Sequence, residues 1–257
     1  MLLGRNAKKG GSDGGMAAVI NMNAAPLSEL VTKIDGERMF NYVNDMLAYI
    51  GPAASERNGR LTGISDTGVS AVFAESCEDA LMSSVTICQR IAGNRNEFFR
   101  FEDFAVGISY GTVYTDRVGY GDWQIPLTIS ECTRMAYLLR NLSVKYHAHI
   151  LITERAAAEI PDFFNKFSTR CLGHFPAREI GDDQMVYDVF DGDPIDVKNS
   201  KRRSKLFFET GVKLLEEKNW ESARSYFIEL IKTDRSDRAA REFLLLCDSM
   251  SAAGQER

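Results

Sequence analysis

Asn58–Phe73 reads NGRLTGISDTGVSAVF, and its reading decides the fold. Leu61 and Ile64 belong to one short strand, and Val69, Ala71 and Phe73 alternate along a second. Asp66-Thr67-Gly68 forms the tight turn between them, with Gly68 supplying the left-handed backbone that such a turn needs. A turn of this kind can hold a carboxylate beside a phosphate-bound metal.

Outward from this hairpin, residues 16–23, MAAVINMN, read as a strand. Ser28–Ser55 follows as a helix, with Leu30, Ile34, Tyr42, Met46 and Ile50 in its apolar stripe and Gly51-Pro52 expected to kink or end it. Glu78–Ala92 is a second helix and Asn94–Glu97 a polar turn. Phe101–Thr115 reads as a long strand whose Gly107 and Gly111 mark a bulge or a close backbone approach. Tyr120–Ile129 is its partner, and a helix with Met135, Leu138 and Leu139 in its stripe comes next. His149–Thr153 is a short buried strand, Arg155–Glu159 a helical turn, and Phe167–Phe175 pairs with Gln184–Phe190.

A chain of 257 residues holds one medium domain and a small appendage, and 44% hydrophobic content is ample for a core. Net charge of −5 gives no broad basic surface for nucleic acid. Apolar runs are shorter than a membrane span, so a cytoplasmic location is expected. Residues 1–15 lack the apolar core of a signal peptide and read as a flexible lead-in, or as the scar of a cut from a longer chain. Cys77, Cys88, Cys132, Cys171 and Cys247 show no metal-ligand or redox spacing and read as reduced thiols. His147 and His149 share a face at the start of a strand, but no further ligand lies near them in the sequence, and a metal site there is not expected.

The order of these elements resembles the class III adenylate and guanylate cyclases. Their pattern at the hairpin is Gly-Gly-x-x-x-Lys-x-x-Gly-Asp-Gly-x-Met-Ala-Val-Phe. Laid without a gap on Asn58–Phe73, it matches Gly59, Gly68, Ala71, Val72 and Phe73. Gly107-Ile108, Gly111-x-Val113 and Val118-Gly119 follow the family's next glycine pattern, and Ala136 and Leu139 its later helix. The resemblance covers about Ala17 to Phe190. It implies an α+β sandwich with a mostly antiparallel sheet, in the order βααββαββ, covered by helices on one face.

The residues that carry the family's chemistry differ here. One metal Asp falls on Asn21, or on Asn23 if the register slips, and the other on Thr67, with Asp66 one position early. The base-reading positions fall on Gly63 and Leu127, and the transition-state Asn and Arg on Arg134 and Leu138. A neutral amide coordinates Mg²⁺ weakly and does not balance two divalent ions beside a triphosphate.

The stretch 191–204, DGDPIDVKNSKRRS, reads as a linker, so the cyclase-like domain is expected over 16–191 and the linker over 192–204. Over 205–253, Phe207, Gly211, Leu214, Trp220, Ala223 and Phe227 fall at the key positions of a tetratricopeptide repeat, and Arg238–Met250 would be a third, covering helix.

The expected function is thus a catalytically degenerate cyclase-like domain that dimerises and regulates in intracellular signalling of the cyclic-nucleotide type, with no cofactor. The alternative is an active adenylate or guanylate cyclase with Mg²⁺ or Mn²⁺ on Asp66 and Glu131. A third reading is a non-enzymatic protein whose C-terminal helices take a protein partner. A homodimer or heterodimer is expected through Leu61–Val72 and the hairpin near Val118–Trp123, with Trp123 either its anchor or part of the monomer's own core.

Overall fold

The computed structural model describes residues 14–23, 32–65, 68–93 and 101–255. In chain order the elements are strand β1 (Gly15–Asn23), helix α1 (Gly36–Ser55), strands β2 (Arg60–Ser65) and β3 (Gly68–Phe73), and helix α2 (Cys77–Ala92). A hairpin of β4 (Ala105–Tyr120) and β5 (Trp123–Ile129) leads into α3 (Glu131–Tyr146). Then come β6 (Ile150–Thr153), α4 (Glu154–Ala158), α5 (Phe163–Lys166), β7 (Thr169–Phe175), α6 (Ala177–Ile180) and β8 (Gln184–Val189). Helices α7 (Ile195–Glu216), α8 (Trp220–Thr233) and α9 (Arg238–Gln255) follow.

The strands form one sheet in the order β2-β3-β1-β4-β6-β8-β7, with β5 paired to the outer half of β4. Every pairing is antiparallel except that of β4 with β6. The mostly antiparallel sheet is as expected, but the element order is not. Each hairpin is followed by a helix, so helices alternate with strand pairs instead of running as αα. Asp35 starts α1 by accepting a hydrogen bond from the Arg38 amide at 2.9 Å, and α1 continues through Pro52 to Ser55. Ser28, the expected start, and the turn expected at Asn94–Glu97 lie outside the described residues.

Helices cover both faces of the sheet. Every residue of β1 from Ala17 to Asn23 is buried, as a strand covered on both sides must be. Ala18, Ile20 and Met22 pack with α1 and α2. Ala17 and Val19 pack with Val72, Val113 and the α3 residues Cys132 and Ala136. The one-face expectation fails because the central strand is apolar at both parities.

The expected linker over 192–204 is helical from Ile195, and α7 runs 22 residues without a break. Its polar composition suggested a loop. In the fold, Lys201 is buried against Asp188 and Asp193, so that part of this polarity is satisfied internally. The three C-terminal helices pack against the domain through one continuous apolar cluster. Phe208, Phe227 and Phe243 join Leu139, Tyr146, Leu172 and Phe175 in it. Gly211 lets α7 and α8 approach, since a Cβ there would lie 2.9 Å from the Phe227 ring.

Candidate functional site

Strand β1 carries Asn21 between Ser70 of β3 and Gly107 of β4. Parity puts Asn21 on the side of Ala17 and Val19, facing α3. Its side chain is 4% exposed, its Nδ2 donates to Ser70 Oγ at 3.0 Å, and its Oδ1 has no hydrogen-bond partner among the described residues. Asn23, the slipped-register candidate, is also buried.

Helix α3 is held hard against the sheet. Ser130 caps it, accepting from the Cys132 amide at 3.0 Å and donating to the Thr112 carbonyl at 2.7 Å. A Cβ on Gly107 would lie 2.1 Å from the Ala136 carbonyl oxygen, so only glycine lets α3 come this close. Gly107 thus seats the helix through the close approach its mid-strand position suggested.

A hollow of about 470 Å³ opens between β1, β3, the end of β5 and α3, and both Asn21 and Arg134 line it. Hydroxyls of Ser65, Ser70, Thr128, Ser130, Thr133 and Tyr137 make most of the remaining polar wall. Thr133 Oγ1 is buried there without a hydrogen-bond partner among the described residues. Arg134 is the one charged side chain among the described residues that line the hollow. The donor set is one amide, several hydroxyls and one guanidinium, which suits a weakly held anion or polar group. Among the described residues it offers no carboxylate, which a pair of divalent ions would need.

The other expected site positions are scattered. Leu138 is half-buried on α3, Leu127 and Gly63 are exposed, and Glu131 is exposed in the first turn of α3. Asp66 and Thr67 lie outside the described residues. Gly68 pairs with Ser65, and its φ of +122° and the 2.3 Å from a would-be Cβ to the Met22 carbonyl oxygen require glycine. His147 ends α3 in the left-handed conformation, and burial together with nearby Arg238 holds its pKa below the ordinary value.

Sequence reasoning passed over Arg140. It is buried on α3 with its guanidinium 4.9 Å from the centre of the Tyr137 ring, itself in the wall of the hollow. Burial lowers its pKa from the ordinary arginine value. A cation directly after Leu138-Leu139 in an apolar helical stripe was the available signal.

The β4–β5 arm projects from the sheet with an apolar surface. Tyr120 is 91% and Trp123 64% exposed, and Val118, Ile125 and Ile129 are also exposed. Trp123 is therefore no part of the monomer's core.

No family model matches the sequence. The chain is 21% identical over 196 residues to the terminal-differentiation-specific adenylate cyclase of Dictyostelium discoideum; the match covers 74% of this chain and 9% of that protein. A bacterial light-regulated adenylyl cyclase superposes with a TM-score of 0.61 at 16% identity, over 75% of this chain and 57% of that one. The dimeric guanylyl cyclase domain of the RhoGC fusion protein from Blastocladiella emersonii superposes with a TM-score of 0.55 at 14% identity, over 69% of this chain and 97% of that one. The chain has the fold of adenylyl and guanylyl cyclase catalytic domains.

Proposed function

We propose that this chain is a catalytically degenerate class III cyclase-like domain that acts as a dimerising, regulatory module in cyclic-nucleotide signalling. The observation that carries the reading is the wall of the hollow, where Asn21 and Arg134 meet without a carboxylate among the described lining residues. Cyclisation of a nucleoside triphosphate has a 3′-hydroxyl attack the α-phosphorus while pyrophosphate leaves. That displacement needs carboxylates to hold the ions that neutralise the phosphates. Asn21 supplies no negative charge, and Leu127, Gly63 and Leu138 supply no side-chain donor or acceptor. Each such loss costs on the order of a few kcal/mol of barrier stabilisation.

The exposed arm supports pairing. An apolar surface carried by Tyr120, Trp123, Ile125 and Ile129 is covered by a partner, and a second copy is the simplest one. The C-terminal helices act as a tetratricopeptide-like brace, because Phe208, Phe227 and Phe243 are spent on the apolar cluster they share with α3 and β7.

One observation favours the active alternative. Ser65 and Ser130 line the hollow, and Asp66 and Glu131 adjoin them in sequence. Two variants separate the readings. Asn21→Asp with Thr67→Asp raises Mn²⁺ affinity, measured by calorimetry, without creating turnover, since Arg134 and Leu138 stay as they are. Cyclic-nucleotide production by the wild type that disappears in Asp66→Ala would reverse the conclusion in favour of a working cyclase.

A further inference from the structure

Away from the hollow, Cys88 of α2, His149 before β6 and Asp193 before α7 converge. One ligand atom of each lies within 4.8 Å of the other two. His149 Nδ1 and Asp193 Oδ1 are 2.9 Å apart. The Cys88 side chain is fully buried and the His149 ring lies tilted against that of Phe101 with centroids 4.0 Å apart. Gly192 lets the segment carrying Asp193 close over Cys88, since a Cβ there would lie 2.8 Å from Cys88 Sγ.

The surrounding charges are unbalanced. Lys201 Nζ lies 2.8 Å from Asp193 Oδ2 and 3.0 Å from Asp188 Oδ2. Arg170 lies 2.7 Å from Asp237 and 3.4 Å from Asp188. With His149 neutral, as a metal-ligating imidazole must be, two cations thus face three carboxylates, which leaves one negative charge uncompensated where solvation is poor. Asp188 Oδ1 also has no hydrogen-bond partner among the described residues.

We propose that Cys88, His149 and Asp193 form a binding site for a divalent transition-metal ion of the zinc type. A thiolate, an imidazole and a carboxylate are the ligand set of a borderline-soft cation, and not that of Mg²⁺ or Ca²⁺. A cavity of about 330 Å³, lined by His149, Phe101 and Lys201, reaches the site from the His149 side and gives the ion a path in. Binding forms the metal–sulfur bond as the Cys88 thiol proton leaves to solvent. The divalent ion with the new thiolate adds a single positive charge, which cancels the surplus carboxylate. Lys201 remains on Asp193 Oδ2 and leaves Oδ1 to the ion. The bound ion ties α2 and β6 to the segment entering α7, and so locks the C-terminal helices to the sheet.

The test uses the full chain, stripped with chelator, incubated with Zn²⁺ and desalted. Elemental analysis is expected to find one zinc ion per chain. Co²⁺ in its place is expected to give a sulfur-to-metal charge-transfer band with the ligand-field bands of a four-coordinate ion. Cys88→Ala is expected to lose both signals while far-ultraviolet circular dichroism stays native. His149→Gln, altered at the cavity wall, is expected to weaken Zn²⁺ binding by about tenfold or more, and it decides the question if Cys88→Ala fails to fold. Absence of bound zinc, a Co²⁺ spectrum without sulfur, or full retention of metal by either folded variant overturns the proposal.

Discussion

Replacing Phe208 by alanine tests whether the C-terminal helices belong to the core of the sheet domain. The Phe208 ring is fully buried, lies 5.3 Å from the ring of Phe243 and 5.7 Å from that of Phe227, and carries the Arg170 guanidinium 3.9 Å above its face. Truncating a buried phenylalanine costs about 3–5 kcal/mol, and loss of a desolvated cation–π contact adds about 1–2 kcal/mol. Against a whole-domain stability of about 5–15 kcal/mol, this removes roughly a quarter or more. For a chain of this size, the midpoint of thermal unfolding falls by about 10 °C or more. The assay follows urea unfolding by Trp220 fluorescence, in a Trp123→Phe background, and by far-ultraviolet ellipticity. If the helices are integral, both probes give one coincident transition and Phe208→Ala moves them together. A Trp220 transition that shifts alone, with the ellipticity losing amplitude in two steps, would refute the reasoning and restore a separable appendage.

Trp123→Ala on the exposed arm is expected to shift a dimer to monomer in sedimentation without changing the unfolding midpoint; a wild type that stays monomeric at tens of micromolar would end the pairing account. Burial pushes the Asp193 carboxyl up, but Lys201 and the hydrogen-bonded His149 outweigh it and hold the carboxyl well below its usual range. A depressed folded-state pKa gives stability that is present above the unfolded value of about 3.9 and lost as pH falls through the folded one. Urea midpoints measured in chelator are therefore expected to drop below about pH 4, and less steeply in Asp193→Asn; an identical slope would contradict the assignment. Gly107→Ala is expected to destabilise by about 1–3 kcal/mol or more, because the new Cβ meets the α3 backbone, which cannot rotate away as a side chain can; a neutral result in urea unfolding would show that α3 is not seated as described.

Much of the fold was legible because the relevant signals are local. Alternation marked β2 and β3, Gly68 marked their turn, and Gly107 marked a close approach whose object, the backbone of α3, no local pattern names. Asn21 was placed by register, and the structure brings it to the same hollow as Arg134. What escaped depends on partners far apart in sequence. Helix α7 looked like a linker because Lys201 reads as a solvated charge until Asp188 and Asp193 are beside it. Cys88, His149 and Asp193 carry no spacing motif, since three different elements bring them together. The covering of both sheet faces was visible in the apolar run of β1, but the resemblance suggested one face and prevailed over it.

Cyclic-nucleotide formation by the purified wild type, at millimolar ATP or GTP with Mg²⁺ and then Mn²⁺, tests the central claim most directly. The account predicts no product above a protein-free control with either purine or either metal, while the chain remains folded by circular dichroism. Sustained turnover that scales with protein concentration and is abolished by Asp66→Ala would contradict it.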